Sequence, residues 1–358
     1  MKPDTTKNAF IELGKIIERF LENSKGKLHL AEHDILTHAI EKARIENPWF
    51  TKENIQLALK GIAHLLEKEK IEQWLDQYSE FNQQIKEPYK VGVVNAGNIP
   101  AVGFHDFMST LMAGHRYLGK LSEKDRTLLP ALRDILVRIE PGLDSFIRFE
   151  ENQLNGFDAI IATGSDNTAR YFEYYFAKYP HIIRKNRNSV AVLTGKETDQ
   201  ELQSLADDLF LYFGMGCRNV SKIYFPETFG IKRLFENLEH YKTRLIQHNK
   251  YANNYEYHRS IFLMNQTPHL DNGFVLLKED TGISSPISTV FYEPYKNLQQ
   301  VKNTLEIQQD QIQCIVSHPE TFREAVPFGK SQFPEIWDYA DNVDTLRFLL
   351  SLDKHKKA

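Results

Sequence analysis

Short, continuous apolar runs that alternate with helical stretches constrain the fold of this chain more than any other feature. Five such runs follow Lys90, and each is only three or four residues long. They are Val91–Val94, Ala159–Ala162, Val190–Leu193, Phe274–Leu277 and Cys314–Val316. Apolar residues at every position, rather than at every second one, are typical of strands that are buried on both faces. The pattern therefore predicts an α/β fold with parallel sheets covered by helices.

The first ninety residues follow a different pattern, because their apolar residues recur at helical spacing. These stripes run through Ala9–Leu21, Leu30–Ala43 and Ile55–Leu66, and charged residues of both signs lie on the opposite faces. They predict a helical lead-in to the α/β part. A chain of 358 residues fits two domains better than three. We place the border between residues 187 and 188, within the basic segment Arg184–Asn188.

The composition is that of a globular protein and narrows the possible partners. With 41% hydrophobic and 26% charged residues and a net charge of -4, nothing in the chain indicates binding to nucleic acid. No apolar run approaches the roughly 20 residues that cross a bilayer, and the N-terminus lacks a signal core, so we expect a cytoplasmic protein. The two cysteines, Cys217 and Cys314, are then expected as thiols. The 13 histidines are scattered, so no metal site is predicted.

One of the two cysteines lies where a predicted helix ends. Apolar residues repeat at helical spacing from Asp199 to Phe213, two glycines then break the pattern, and Val220–Phe225 is typical of a strand. The glycines allow the backbone to approach a ligand closely, and Arg218 supplies a positive charge that favours thiolate over thiol. Cys217 is therefore a candidate nucleophile. A small buried hydrophobic residue is the commoner role of a lone cysteine and stays the alternative.

Three further segments each run from a predicted strand into a polar turn: Val91–Pro100, Arg116–Glu123 and Ile160–Thr168. Ligands bind at such carboxyl ends of strands in open α/β sheets. Lys120, at the end of the second segment, is a candidate for holding a ribose hydroxyl or a phosphate. The third segment enters a helix through Thr-Gly-Ser, so the N–H groups at the helix start would face an anion. Plain helix capping and a solvated lysine are the structural alternatives.

The order of these segments resembles the aldehyde dehydrogenase superfamily, in which an asparagine turn, a Lys-x-Ser-Glu strand, a Gly-Ser helix start and a Gly-x-x-Cys loop follow one another. Within it, the chain is more closely similar to the long-chain acyl-CoA reductase family, typified by the reductase subunit of bacterial luminescence fatty-acid reductase complexes. The segments that carry this resemblance are Gly97–Pro100, Gly119–Ser122, Phe213–Lys222 and Tyr339–Leu349. The resemblance covers about Lys90 to Leu352.

The resemblance implies an aldehyde dehydrogenase-like fold, with a Rossmann-like dinucleotide-binding domain and an α/β catalytic domain. Residues 1–187 would form the helical lead-in and the dinucleotide-binding domain, and residues 188–358 the catalytic domain that carries the acyl-cysteine. The implied reaction is reduction of a fatty acyl-CoA to the aldehyde by NAD(P)H, with CoA as the leaving group. We expect self-association into a homo-oligomer, and an acyl-transferring protein is a further partner that the resemblance suggests.

The resemblance also implies roles for individual residues. Cys217 matches the nucleophile that takes the acyl group, and Asn98 matches the asparagine that stabilises the oxyanion together with the Cys217 backbone N–H. The implied cofactor-binding residues contact the adenosine ribose or the pyrophosphate: Lys120, Ser122, Glu123, Thr163, Gly164 and Ser165. The similar family uses NADPH, although Glu123 would repel a 2′-phosphate and favour the free hydroxyl of NADH. NADPH is our expectation, and NADH is the alternative.

The chain departs from the superfamily pattern at two points. Aldehyde-oxidising members carry a glutamate that activates the hydrolytic water, whereas the corresponding stretch here, Arg184–Asn188, contains no carboxylate. Its positive charges would either form a solvated face or meet phosphates. The segment Thr281–Pro286 has no acid where a glutamate grips the nicotinamide ribose. Loss of a hydrolytic base suits a reductase, because water must not compete for the acyl-enzyme. The histidines that stay open as an unrecognised base are His105, His115 and His258.

Two other functions stay open. One is a cysteine-dependent acyltransferase or thioesterase that uses no nicotinamide, and Lys120 together with the Gly164–Ser165 pair argues against it. The other is a non-catalytic acyl-CoA binder or assembly subunit, which the intact Cys217 and Asn98 make the weaker alternative.

Overall fold

The computed structural model describes residues 3–22, 30–81, 87–164 and 166–355. Within these ranges the helices α1 to α14 are Pro3–Leu21, Leu30–Glu46, Lys52–Leu65, Lys68–Leu75, Phe104–Met112, Leu128–Ile139, Asp166–Phe176, Asp199–Phe210, Ile231–Leu238, Lys242–Ile246, Asn249–Met264, Leu298–Ile307, Thr345–Leu350 and Leu352–His355. The strands β1 to β11 are Lys90–Val94, Arg116–Lys120, Ile147–Glu150, Ala159–Thr163, His181–Arg184, Asn188–Val192, Val220–Pro226, Leu270–Asp271, Leu276–Glu279, Thr289–Tyr295 and Ile312–Val316.

The chain forms two compact units, each built around one sheet. The first unit comprises Met1–Lys185 with Glu335–Ala358, and the second comprises Asn186–Pro334. The first sheet has the order β3-β2-β1-β4-β5, and all of its neighbouring strands are parallel. The second has the order β11-β6-β7-β10-β9-β8, parallel except for the short pair β8–β9. The predicted α/β fold with parallel sheets is therefore confirmed.

The unit border at residues 185 and 186 lies two residues from the border that the basic segment suggests. The C-terminal residues differ more from the expectation, because residues 335–358 belong to the first unit and not to the part that begins at residue 188. The chain therefore returns to its first unit after completing the second.

The helical lead-in is present and shares one hydrophobic core with the first sheet. Phe10 of α1 is fully buried and makes edge-to-face contacts with Phe104 and Phe107 of α5, at centroid distances of 6.2 and 6.1 Å. Val91 and Val93 of β1 belong to the same core. Because β1 is covered in this way, the continuous apolar run is the pattern it requires. The apolar run at Phe274 also lies in the core, but the strand there begins two residues later than predicted, at Leu276.

Buried hydroxyl groups attach the C-terminal segment to the first unit. The indole Nε1 of Trp74 donates to Tyr339 Oη at 2.6 Å, and the Tyr78 hydroxyl lies 2.7 Å from the same oxygen. Tyr78 also donates to the carboxylate of Asp344. The tail motif that carries part of the sequence resemblance therefore has a structural role in this unit.

Two of the histidines proposed as bases hold this C-terminal segment. His105 Nε2 donates to the carbonyl of Ile336 at 2.8 Å, and His115 Nε2 donates to the carbonyl of Leu349 at 2.9 Å. Burial lowers the pKa of both imidazoles, so both are neutral near pH 7. The Nδ1 atoms also have partners, since Ser109 Oγ lies 3.4 Å from that of His105 and the N–H of Tyr89 donates to that of His115 at 3.4 Å, so both rings serve this packing. His258 lies half-buried on α11 in the second unit, and burial lowers its pKa as well.

Arg184, at the end of β5, makes a buried ion pair inside the first unit. Its guanidinium donates to both carboxylate oxygens of Asp106, at 2.5 and 2.8 Å, and to Thr345 Oγ1 at 2.8 Å. The expectation that this basic residue forms a solvated face or meets a phosphate is therefore wrong for Arg184. Lys185 is exposed and pairs with Glu173 at 3.0 Å. The segment thus combines a buried pair with a surface pair.

We expect Asp106→Ala to lower the free energy of unfolding by about 3–5 kcal/mol, because it leaves the buried Arg184 charge without its carboxylate. Glu173→Ala is the matched control, since it removes the carboxylate of the exposed pair with Lys185 and should cost no more than about 1 kcal/mol. Urea unfolding followed by circular dichroism measures both. Equal, small losses for the two variants would show that the buried pair does not stabilise the unit.

Candidate functional site

Three polar turns meet at the carboxyl edge of the first sheet. Val94, the last residue of β1, pairs with Lys120 on β2 and with Ala162 on β4. The turn Asn95–Pro100 therefore begins beside Lys120 on one side and beside Thr163 on the other. Because β1 lies between β2 and β4, the strand order reverses at this point, which is where open α/β sheets bind ligands.

Asn95 joins the turn after β1 to the end of β2. Its backbone N–H and its side-chain Nδ2 both donate to the carbonyl of Lys120, at 3.0 and 3.1 Å, and Nδ2 also lies 2.9 Å from Tyr117 Oη. Gly97 packs so closely on Ser122 that a Cβ at this position would overlap the serine side chain. Only glycine fits there, so this close packing explains the glycine of the turn.

Asp125 also holds the segment that follows this turn. Its carboxylate accepts from the N–H of Ala101 at 2.7 Å and from the N–H of Leu128 at 3.3 Å, so it caps the first turn of α6 as well. Ala101 has a positive φ of 52°, a conformation that costs a non-glycine residue energy and therefore needs such a partner. Burial raises the pKa of Asp125 to about 6, while the N–H groups that it accepts oppose the rise.

The predicted cofactor-binding residues at and after the end of β2 differ in exposure. Lys120 is half-buried at the strand end. Ser122 Oγ accepts from the N–H of Lys124 at 3.2 Å, so its hydroxyl shapes the turn. The side chain of Glu123 is almost fully exposed and lies 3.7 Å from Arg126, which partly offsets its negative charge. The carboxylate and the guanidinium together leave this corner of the edge close to neutral.

The third predicted segment joins β4 to α7. Thr163 ends the strand, Gly164 follows, and the helix begins at Asp166. The N–H of Gly164 donates to the carbonyl of Arg184 at 3.2 Å, which extends the β4–β5 pairing by one residue. Ser165 of the predicted helix start lies outside the described residues. The structure therefore brings Asn98, Lys120, Ser122, Glu123, Thr163 and Gly164 to one edge of the first sheet.

Cys217 belongs to the second unit, in the loop between α8 and β7. Helix α8 ends at Phe210, three residues earlier than predicted, and the chain then turns through three consecutive residues of positive φ, Tyr212–Gly214. Left-handed backbone costs about 1–2 kcal/mol at each non-glycine residue. Burial of both aromatic side chains offsets this cost, and Phe213 stacks on His248 at a centroid distance of 4.1 Å. Tertiary packing therefore ends the helix.

Asn219 connects the broken end of α8 to the cysteine loop. Its Nδ2 donates to the carbonyls of Asp208 and Leu211, both at 3.0 Å, so it satisfies carbonyl groups that the helix end leaves open. Its Oδ1 accepts from the N–H of Gly216 at 2.8 Å, and its own N–H donates back to the Gly216 carbonyl. A single buried side chain thus fixes both sides of the loop that presents Cys217.

A second set of contacts holds the loop against residues 329–331. The Arg218 Nε donates to the carbonyl of Ser331 at 2.6 Å, so the guanidinium that sequence assigned to thiolate stabilisation also binds backbone. The carboxylate of Asp208 accepts from the N–H groups of Gly329 and Ser331, at 2.6 and 2.9 Å. Burial raises the pKa of Asp208 to about 6 against the effect of these hydrogen bonds. Cys217 itself is half-buried, and its carbonyl accepts from Ser189 Oγ at 3.0 Å.

Polar side chains of β7 fix the segment Thr281–Pro286. Ser221 Oγ donates to the carbonyl of Ile283 at 2.7 Å, and the fully buried Lys222 donates to the carbonyl of Thr281 at 3.1 Å. Lys222 also pairs with Glu293 at 2.7 Å. The acid nearest this segment in sequence, Asp280, is bound to Lys278 and to the N–H of Gly282, which keep its pKa low. Side chains of β7 that donate to its backbone carbonyl groups therefore hold this segment in place.

Sequence reasoning did not identify four residues that hold the turns in place through bonds to backbone groups. They are Asn95, Asp125, Ser189 and Asn219. Asn95 and Asn219 had one available signal, since each is an asparagine at a strand end, where side-chain to backbone bonds are common.

Among the described residues, no cluster of histidine, cysteine and carboxylate side chains is arranged to hold a metal ion. None of the helices in the described ranges has an apolar stretch long enough to span a membrane.

Solved structures of aldehyde dehydrogenases share this fold. Aldehyde dehydrogenase 21 from Physcomitrella patens, in complex with succinate, has a TM-score of 0.65 at 12% identity over 98% of this chain and 87% of that chain. The indole-3-acetaldehyde dehydrogenase AldA of P. syringae, in complex with NAD+ and IAA, has a TM-score of 0.62 at 12% identity over 91% and 74%. The NAD+ complex of the aldehyde dehydrogenase from Bacillus cereus has a TM-score of 0.61 at 12% identity over 88% and 72%.

No protein-family model matches the chain, and no curated protein matches it at a significant level. At identities of 12%, similarity to the solved structures establishes the aldehyde dehydrogenase-like fold and nothing finer. The fold expected from the order of the sequence motifs is therefore confirmed.

We expect Asn219→Ala to lower the free energy of unfolding by roughly 1–3 kcal/mol, because it leaves buried backbone groups of α8 and of Gly216 without a partner. The loop should also loosen, so the alkylation of Cys217 by iodoacetamide should become faster when measured in a Cys314→Ala background. Asn254→Ala is the matched control, since that amide also donates to a backbone carbonyl but on the surface of α11. Unchanged stability and alkylation in Asn219→Ala would contradict the anchoring role.

Proposed function

We propose that this protein is a nicotinamide-dependent oxidoreductase of the aldehyde dehydrogenase type that reduces a fatty acyl-CoA to the aldehyde. The observation that carries the proposal is the loop of Cys217, which a kinked helix end and a buried asparagine hold in a glycine-flanked turn. A fixed, half-buried cysteine next to glycine is suited to act as a nucleophile on a bulky thioester. The aldehyde dehydrogenase-like fold and the sequence resemblance support the same chemistry.

The first unit offers groups that fit a dinucleotide. Its parallel sheet has a reversal of strand order between β1 and β4, which is where open α/β sheets bind ligands. In this proposal, Lys120 and Glu123 would hold the adenosine ribose, and Thr163, Gly164 and Ser165 would bind the pyrophosphate. When bound, the nicotinamide supplies the hydride that reduces the acyl thioester.

Cys217 performs the covalent chemistry. Its thiolate attacks the thioester carbonyl, the carbon–sulfur bond to CoA breaks, and CoA leaves as a thiolate while the acyl group stays on the cysteine. The Cys217 backbone N–H and the side chain of Asn98 are the proposed donors to the oxyanion. After reduction, the thiohemiacetal on Cys217 releases the aldehyde and restores the thiolate. Anchoring by Asn219 and Ser189 keeps the Cys217 backbone fixed during these steps.

The cofactor proposal favours NADPH. Glu123 would repel a 2′-phosphate, but the guanidinium of Arg126 lies 3.7 Å from its carboxylate and Lys120 lies at the adjoining strand end. These two positive charges exceed the single negative charge of Glu123, so the net charge at this edge favours a phosphate. NADH remains the alternative, and comparison of turnover with the two cofactors separates them.

We expect Cys217→Ala to abolish covalent labelling by radioactive acyl-CoA, because no other residue is proposed to carry the acyl group. Cys314→Ala is the matched control and should retain labelling. Asn98→Ala should slow labelling by roughly 10²–10³-fold, the cost of losing one oxyanion donor. Equal labelling of Cys217→Ala and the parent would contradict the acyl-cysteine mechanism. Labelling of Cys217 without oxidation of NADPH or NADH, over a panel of acyl-CoAs, would instead favour the acyltransferase or thioesterase alternative.

The direction of the reaction gives a separate prediction. The stretch that corresponds to the hydrolytic glutamate is Arg184–Asn188, which has no carboxylate, and its Arg184 is already bound to Asp106. The acyl-enzyme should therefore discharge to CoA faster than to water. Given a long-chain aldehyde and oxidised cofactor, the protein should form acyl-CoA when CoA is present and little fatty acid when it is absent. Steady release of fatty acid without CoA, at the CoA-dependent rate, would replace the reductase proposal with a hydrolytic dehydrogenase.

A further inference from the structure

We infer that Cys217 and Cys314 are a redox pair, and that a hydroperoxide converts them into an intramolecular disulfide which protects the nucleophile from irreversible oxidation. The inference rests on the proposed role of Cys217 as a reactive thiolate, because the thiolate is the form that peroxides attack. It adds a function for Cys314, which the proposed reduction of acyl-CoA does not use. Both residues belong to the second unit.

Ser189 brings the two cysteine segments together. It lies on β6, the strand between β11 and β7, and its side chain is fully buried. Its hydroxyl donates to the carbonyl of Cys217 at 3.0 Å and lies 3.1 Å from the Cys314 Sγ. Because both atoms contact one oxygen, the Cys314 sulfur and the Cys217 carbonyl oxygen are no more than about 6 Å apart.

A β-bulge directs Cys314 towards this hydroxyl. On β11, Ile312 pairs with Asn188 and Ile315 pairs with Val190, so two residues of β11 oppose the single residue Ser189 of β6. The N–H of Cys314 donates to Ser189 Oγ at 3.2 Å, so the serine side chain takes up the donor that the bulge removes from the ladder. Bulges commonly re-aim side chains next to functional sites.

Formation of the disulfide requires the loop of Cys217 to change its backbone conformation. A disulfide requires Cα atoms about 4.4–6.8 Å apart, so the contacts that Ser189 and Asn219 make with this loop must break for the two cysteines to reach that separation. Glycines precede Cys217 at positions 214 and 216, and Gly214 is exposed with a positive φ of 77°. Glycine permits such a shift because it has few forbidden backbone conformations.

The chemistry has two steps and balances with a hydroperoxide as the oxidant. The Cys217 thiolate attacks the peroxide oxygen, the O–O bond breaks, and the cysteine becomes a sulfenic acid while hydroxide or alkoxide leaves. The Cys314 sulfur then attacks the sulfenic sulfur, the S–O bond breaks, and water leaves with the thiol proton. The resulting disulfide blocks further oxidation of Cys217 to the sulfinic acid, and a thiol reductant restores both thiols.

The test uses the full chain treated with hydrogen peroxide, quenched with iodoacetamide at intervals and examined by intact-mass and peptide mass spectrometry. We expect the parent to lose both alkylatable thiols together, with loss of two hydrogens, and dithiothreitol to restore acyl labelling. Cys314→Ala, with Cys314→Ser as a second variant that keeps a similar side-chain size, should instead accumulate sulfinic acid at Cys217, and dithiothreitol should not restore its labelling. The chain has only two cysteines, so any disulfide within one chain joins this pair.

Sulfinic acid at Cys217 of the parent without a cross-link would overturn the inference, as would disulfides that join two chains on a non-reducing gel. The mass measurement needs no turnover, so it separates this inference from the proposed function. A parent that forms the cross-link but accepts no acyl group would refute the reductase proposal and leave the redox pair standing. A parent that is acylated but forms no cross-link would refute the redox pair and leave the reductase proposal standing.

Discussion

The parallel pairing of β1 with both β2 and β4 is the constraint on which the candidate cofactor edge depends. Parallel strands end at the same side of a sheet, so turns that are far apart in sequence become neighbours once the register is set. Val94 faces Lys120 on one side and Ala162 on the other, and this register alone brings the asparagine turn beside the Thr163–Gly164 junction. Asn95 and Asp125 then hold the turns where the strands leave them.

Buried polar side chains connect parts of each unit that are distant in sequence. In the first unit, Arg184 binds Asp106 and Thr345, and Tyr339 binds Trp74 and Tyr78, so the C-terminal segment is part of the core. Such groups are costly to bury unless all partners are present, and each of these contacts therefore specifies one arrangement of the chain. In the second unit, Asn219 has the same function for the cysteine loop, because its amide binds both the end of α8 and Gly216.

Much of the fold could be predicted because its signals are local. The apolar run at Val91 matches a strand, the helical stripe Ala9–Leu21 lies within α1, and parallel sheets follow from runs that are apolar throughout. Two boundaries were displaced for non-local reasons. Helix α8 stops at Phe210 because Phe213 packs on His248, and this contact joins residues 35 positions apart. The strand at Leu276 starts after its apolar run begins, since Phe274 is buried without being paired.

The sequence by itself determined the α/β class, the helical lead-in and the cysteine and asparagine turns, because residue type and spacing decide local backbone preferences. Only the tertiary structure decided which polar groups meet. The sequence suggested exposed or phosphate-binding roles for Arg184 and open roles for His105 and His115, but burial assigned all three to the C-terminal segment. The tertiary structure also placed Cys314 next to Ser189, through a β-bulge in β11. Contacts of this kind depend on register and burial, which no single segment encodes.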